Sequence, residues 1–145
     1  MAMNPDLALP ADDAAALAAI LARFDCQAGT VHRMVNGVLQ LSAAHNLPPP
    51  IVELVRMVPV GKGMAGLAAQ TRMPVSLCNL QTDTSGHARP AAKASGMEGS
   101  IAVPMLAGEE VRGVLGVAKA VAHDWTEEEK ASLLAVGARL AGKKP

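Results

Sequence analysis

Between Cys78 and Lys93 the chain gathers side chains that donate, accept or carry charge: Cys78, Asn79, Asp83, Thr84, Ser85, His87, Arg89 and Lys93. Arg89, Lys93 and His87 are the residue types that hold a carboxylate or another anion, and Asp83 can accept from a ligand amine. The competing reading is a surface loop in which Asp83 and Thr84 close local turns. A second cluster reads Gly61-Lys62-Gly63-Met64-Ala65-Gly66. It spells G-x-G-x-x-G after an apolar run, and Asp83 stands about where a dinucleotide fingerprint places its ribose-binding acid. Sulfur chemistry would fall to Cys26 and Cys78, the two cysteines of the chain. Neither belongs to a C-x-x-C or a Cys/His metal spacing, so they are expected as reduced, mostly buried thiols, and no metal site is expected.

Composition narrows the partners. The 145 residues suit one domain with a core of its own; half are apolar, and the formal net charge is zero. A neutral chain without an internal Lys/Arg cluster lacks the electrostatic footprint of a nucleic-acid binder. Aromatic platforms are scarce, with Phe24, Trp125 and no Tyr, which argues against base or flavin stacking. The acidic, Pro-broken start MAMNPDLALPADD does not read as a signal peptide, and no apolar run has the length of a bilayer span. A cytoplasmic protein with neither nucleic-acid nor membrane partners is expected.

The elements that must position these residues are set by period and punctuation. Asp12-Asp13 open an Ala/Leu-rich helix ending near Arg23, with Leu17, Ile20, Leu21 and Phe24 at helical spacing. Thr30–Val35 and Val38–Ala44 are β-rich and flank Asn36-Gly37, the strongest short signal for a type I′ hairpin. Residues 51–55 suit a short helix after the triple proline. After Gly63 only about eight residues remain before Met73-Pro74 stops the helix, too few for the usual crossover between parallel strands. Together with the antiparallel hairpin, this weighs against the dinucleotide reading. Residues 91–95 suit another short helix, and 100–105 and 111–120 form a second hairpin around Gly108. Thr126 with Glu129 makes a capping box for a last helix that Gly142 ends. On that helix Ala131, Leu134, Ala135 and Ala138 share one stripe, with Leu133 and Val136 nearby. His32 is expected as a satisfied structural histidine, while His45 and His123 are expected in solvent.

The order of these signals resembles a GAF domain, a small-molecule sensor module related to PAS domains. The resemblance is carried by the apolar strand into Gly61-Lys62-Gly63-Met64-Ala65-Gly66, the Met73-Pro74-Val75 strand entry and Asn79-Leu80. It continues through Ser100–Met105, Gly113–Val117 and Trp125–Glu129, covering residues 12–141 between tails at 1–11 and 142–145. It implies an α+β fold: a central antiparallel sheet of five or six strands, the N- and C-terminal helices on one face, and a ligand pocket under loops on the other. In this reading Gly61 and Gly63 permit a sharp strand-to-helix corner, Gly66 a close approach of the short helix to the sheet, and Lys62 is expected as a solvated turn residue.

Three subclasses can be tested on the residues. Of the signature of cyclic-nucleotide-binding members, Ala118-Lys119, Trp125, Glu129 and Lys130 keep Lys119 alone. Neither cysteine is followed by the histidine common at bilin attachment sites. Free methionine-(R)-sulfoxide reductases share the framework of Gly86-His87-Ala88-Arg89-Pro90 and Glu98–Pro104, but their catalytic cysteine position holds Pro90 or a neighbour. Sulfoxide reduction needs a thiolate and a way to resolve its sulfenic acid, so Cys78 with Cys26 could serve only if the fold joins them. The favoured expectation is a non-catalytic sensor or signalling module binding an unknown small molecule through Cys78, Asn79, Asp83, Thr84, Ser85, His87, Arg89 and Lys93, its cofactors unknown. It would form a homodimer through the terminal helices. The alternatives are a reductase-like thiol enzyme using Cys78 and Cys26, and a structural dimerisation module with no ligand.

Overall fold

A computed structural model describes residues 9–142. The elements are α1 (Asp13–Arg23), β1 (Ala28–Val35), β2 (Val38–His45), α2 (Pro49–Leu54), β3 (Met57–Pro59), α3 (Gly63–Thr71), β4 (Val75–Leu77), α4 (Pro90–Ala94), β5 (Ser100–Ala107), β6 (Glu110–Ala118) and α5 (Glu127–Ala141). The six strands form one antiparallel sheet in the order β3-β2-β1-β6-β5-β4. Both expected hairpins are present. Asn36 and Gly37 adopt φ of 52° and 79°, the double positive φ that a type I′ turn demands.

The period of two along the strands sorts the side chains onto two faces. Val31, Ile101, Val103, Met105, Leu115 and Val117 point to one face and pack with Leu17 and Ile20 of α1 and Leu133, Val136 and Leu140 of α5. Their alternates Ala102 and Val114, with Leu39, form a second cluster with Val58, Met64, Ala68, Ala69 and Leu80. The terminal helices therefore share one face, as expected. On α5, however, the buried stripe is Leu133, Val136, Gly137 and Leu140, while Ala131, Ala135 and Ala138 are exposed. Both stripes fit the helical period. The larger side chains win because burying Leu and Val removes more apolar area from water than burying Ala. Gly137 brings this face down onto β5, where a Cβ would lie 3.0 Å from the Pro104 carbonyl oxygen.

Polar groups lock the helix layer. Arg33 on β1 donates from Nε and Nη2 to the two oxygens of Asp13, at 3.0 and 2.7 Å, and from Nη1 to the Leu140 carbonyl at 2.9 Å. Ser42 Oγ donates to the same carboxylate at 2.5 Å. Lys119 donates from Nζ to the carbonyls of Phe24 and Asp25, both at 2.9 Å, beyond the end of α1. The expected capping box closes on α5 through Thr126 and Glu129. His123, expected in solvent, is half-buried, with Nε2 2.9 Å from a Glu129 carboxylate oxygen and its ring edge-on to Trp125. Burial opposes charge on Glu129, but hydrogen bonds from Thr126 and His123 outweigh it and hold the carboxyl below its ordinary pKa.

Replacing Asp13 with Ala buries the Arg33 guanidinium without that carboxylate. It should lower stability by about 3–5 kcal/mol, the scale for breaking a buried ion pair. The check is a urea titration showing a lower midpoint with an unchanged slope.

Candidate functional site

The sheet face away from the terminal helices carries few large side chains near its middle. Across β5, β6 and β1 the register aligns Ala102, Gly116 and Thr30, and next to them Ser100, Ala118 and Ala28. These two rows are the floor of a cavity of about 150 Å³ that opens to solvent. A Cβ on Gly116 would sit 3.1 Å from Thr30 Oγ1, so the glycine keeps the middle of the floor low. The roof comes from short helices: Ile51, Leu54 and Val55 around α2, Met64 and Ala65 of α3, and Ala91 and Ala92 of α4. A space of this size, walled mostly by carbon, suits a molecule with a benzene-sized apolar part.

His32 stands in the wall. It is 2 % exposed, and its Nε2 lies 2.8 Å from the Val55 carbonyl oxygen. A carbonyl only accepts, so Nε2 carries the proton and Nδ1 is left as a bare acceptor, buried and without a partner in the protein. Desolvation pushes the imidazole pKa down, with the bond to Val55 acting the other way, and the ring is neutral at pH 7. The expected satisfied structural histidine is thus half satisfied, and the residue is among those lining the cavity.

Two cations stand among the lining residues, Lys62 and Arg89, and the lining includes no Asp or Glu. Both side chains are exposed. Lys62 is the N-cap of α3 and supplies no side-chain bond to the helix. Gly61 and Gly63 turn β3 into α3 with φ of 93° and 66°, in the left-handed region that glycine enters without strain. The Arg89 stem lies across this corner, its Cδ 2.8 Å from where a Cβ of Gly63 would be. Gly66 nests against the end of β3, with its missing Cβ 2.5 Å from the Pro59 carbonyl oxygen. The corner and the close approach expected of these glycines are both present.

The family model for the GAF domain matches residues 14–141. The chain is a GAF domain. Solved structures with the same fold include the GAF domain of a phosphoenolpyruvate-protein phosphotransferase from Coxiella burnetii, at 20% identity and a TM-score of 0.75 over 90% of this chain and 78% of that one. A type II free methionine-R-sulfoxide reductase from Thermoplasma acidophilum matches at 17% identity and 0.72, over 90% and 89%. The free methionine-R-sulfoxide reductase of Neisseria meningitidis, solved with its substrate, matches at 18% and 0.72, over 88% and 72%. No curated protein matches the sequence. These identities carry the fold and nothing finer.

In this GAF domain the polar segment expected to form the site folds largely on itself. Asp83 Oδ2 accepts from Ser85 N at 3.2 Å and Ser85 Oγ at 2.8 Å, and Ser85 Oγ accepts from His87 N at 3.2 Å. Lys93 Nζ donates to the Asp83 carbonyl at 3.0 Å. Asn79 Oδ1 accepts from Gln81 N at 2.9 Å, and Thr84 is exposed. Of the eight residues singled out, Arg89 lines the cavity; Cys78, Asn79, Asp83, Thr84, Ser85, His87 and Lys93 are not among its lining residues. Sequence reasoning passed over His32, Thr30 and Gly116, whose shared face is set by strand register. The alternation Thr30, His32 was the available signal, with Gly116 facing it once β1 and β6 are paired. Lys62 was expected in solvent; it is exposed and also stands at the mouth.

The two thiols are free and differently placed. Cys26 belongs to the core beneath the terminal helices, where desolvation pushes its pKa up to about 11, against a smaller opposing effect of Lys119. Cys78 is exposed at the end of β4. Neither lines the cavity. In the folded protein at pH 8 a disulfide reagent should therefore titrate one thiol rapidly, with the second appearing only on denaturation. Cys78→Ser should remove the fast phase and Cys26→Ser the slow one.

Proposed function

We propose that this GAF domain binds a small organic molecule between its sheet and helices α2–α4, and that it serves as a sensor or signalling module without catalysis of its own. The observation that carries the reading is the cavity: its floor is kept low by Gly116 and by alanines at the register positions where core strands usually carry larger residues. A packed core leaves few voids larger than a water molecule, so an open space of about 150 Å³ in a small domain calls for an occupant. Members of this family with reductase activity share the fold, but the chemistry needs a thiolate beside the substrate. Here Cys26 is buried away from the cavity and held protonated, which supports the ligand-binding reading over the reductase one. Two free thiols fit a reducing cytoplasm. Among the described residues no helix is long and apolar enough to cross a membrane.

The reading includes a homodimer through the terminal helices. Support comes from the outward faces of α1 and α5, where Ala14, Ala18 and Ala22, and Ala131, Ala135 and Ala138, are exposed and small enough for helices to approach closely.

A thermal-shift screen of small metabolites should reveal a stabilising ligand, and Gly116→Val, which suits a strand but projects methyl groups into the cavity, should abolish that shift. Failure of every compound, or a shift unchanged by Gly116→Val, would sink the cavity reading and favour a structural module. Sedimentation at micromolar concentration should report twice the chain mass, and a monomer there would end the dimer proposal.

A further inference from the structure

Lys62, Arg89 and the start of α3 meet at one place. Lys62 N-caps α3 without a side-chain hydrogen bond to it, and the Arg89 stem crosses Gly63, the first residue of the helix. The first N–H groups of α3 have no side-chain cap, and a helix N-terminus carries partial positive charge. Two basic residues beside that end are an unfavourable arrangement in the absence of an anion. Most other basic side chains with described interactions are engaged elsewhere: Arg33 with Asp13, Arg56 with Glu53, Arg112 with Glu110, Lys130 with Glu127, Lys93 and Lys119 with carbonyls. At the cavity mouth two cations and a helix N-terminus converge, and no carboxylate among the described residues lines the space they face. The interior behind them is mostly apolar, with the small hydroxyl residues Thr30, Ser95 and Ser100 among its lining.

We infer that the ligand of this cavity is a small carboxylic acid, bound as its anion, with the carboxylate at the mouth on Arg89, Lys62 and the first N–H groups of α3 and an apolar body of roughly benzene size inside. The inference rests on the cavity being the binding site, and adds the chemistry of what fills it. The planar fork of Arg89 matches the two oxygens of a carboxylate, and Lys62 supplies a second charge on the same side. A cationic ligand would meet like charge at the entrance with no acid to receive it. A neutral ligand would leave the convergence of positive charge unanswered.

The test uses three matched probes on the full chain: 4-methylpentanoate, its neutral amide 4-methylpentanamide, and the cation 3-methylbutylammonium. Affinity is read by saturation-transfer NMR and calorimetry. The carboxylate should bind at least about tenfold more tightly than the amide, with the ammonium undetectable. Arg89→Gln and Lys62→Gln, both at exposed positions, should each weaken the carboxylate about tenfold while leaving the amide and the melting temperature unchanged, and the affinity should fall as salt is raised. Equal binding of amide and carboxylate, or a carboxylate unaffected by Arg89→Gln, would overturn the inference while the cavity remained a binding site. If none of the three probes bound and Gly116→Val altered no ligand shift in the metabolite screen, both readings would fall together.

Discussion

The fold turns on a buried ion pair. Asp13 lies in the first turn of α1 and Arg33 in the middle of β1; each side chain is less than a tenth exposed, and the guanidinium fork meets both carboxylate oxygens. Removing two charges from water is costly, and the arrangement holds because nearly every remaining donor and acceptor is spoken for. The third arm of Arg33 reaches the Leu140 carbonyl, at the end of α5 where the helix dipole favours a cation. Ser42 reaches the carboxylate from β2 because the register between β1 and β2 skips it, placing Val31 opposite Ala43 and His32 opposite Leu41. Such a bulge re-aims a side chain that would otherwise lie in the ladder. One network thereby ties the first helix, the last helix and two strands, and it fixes which face of the sheet the terminal helices cover.

This placement makes the two faces of the sheet unequal. Once α1 and α5 occupy one side, the larger strand residues collect there: Val31, Ile101, Val103, Met105, Leu115 and Val117. The opposite side is roofed by three short helices above a floor of alanine, glycine, serine and threonine. Packing on the first face is dense enough to need Gly137 and Gly29 for close approach. On the second face the missing volume is itself the feature. The larger of the two buried apolar clusters lies in the helix layer, and the smaller one beside the cavity.

The glycine-rich corner links that asymmetry to electrostatics. Gly61-Lys62-Gly63 spells part of a phosphate-binding fingerprint, yet in an antiparallel sheet it serves a turn whose positive φ values exclude most other residues. The same turn leaves the start of α3 without a side-chain cap and brings the Arg89 stem over it. The physical attraction of such a corner for negative charge survives even though the nucleotide motif does not. It belongs to helix termini in general and not to one fold.

Much of the architecture was legible in the residues. Asn36-Gly37 and Gly108 declared the hairpins, Thr126 with Glu129 the capping box, Met73-Pro74 the short helix, and the order of these signals the GAF fold. Local punctuation survives because turn and cap chemistry acts within a few residues. The site was less legible. A run of polar residues drew attention to Asp83 through Lys93, whereas the structure closes most of that run in local hydrogen bonds and brings Arg89 of it to the cavity. On α5 two stripes fit the helical period, and only contact with β5 chose the one containing Leu133, Val136 and Leu140. The sequence by itself determined the elements, their ends and the family. Tertiary structure alone decided that Thr30, Gly116 and Ala102 would stand side by side, with Lys62 and Arg89 at the rim. Strand register and helix placement couple residues tens of positions apart, and no local pattern carries that distance.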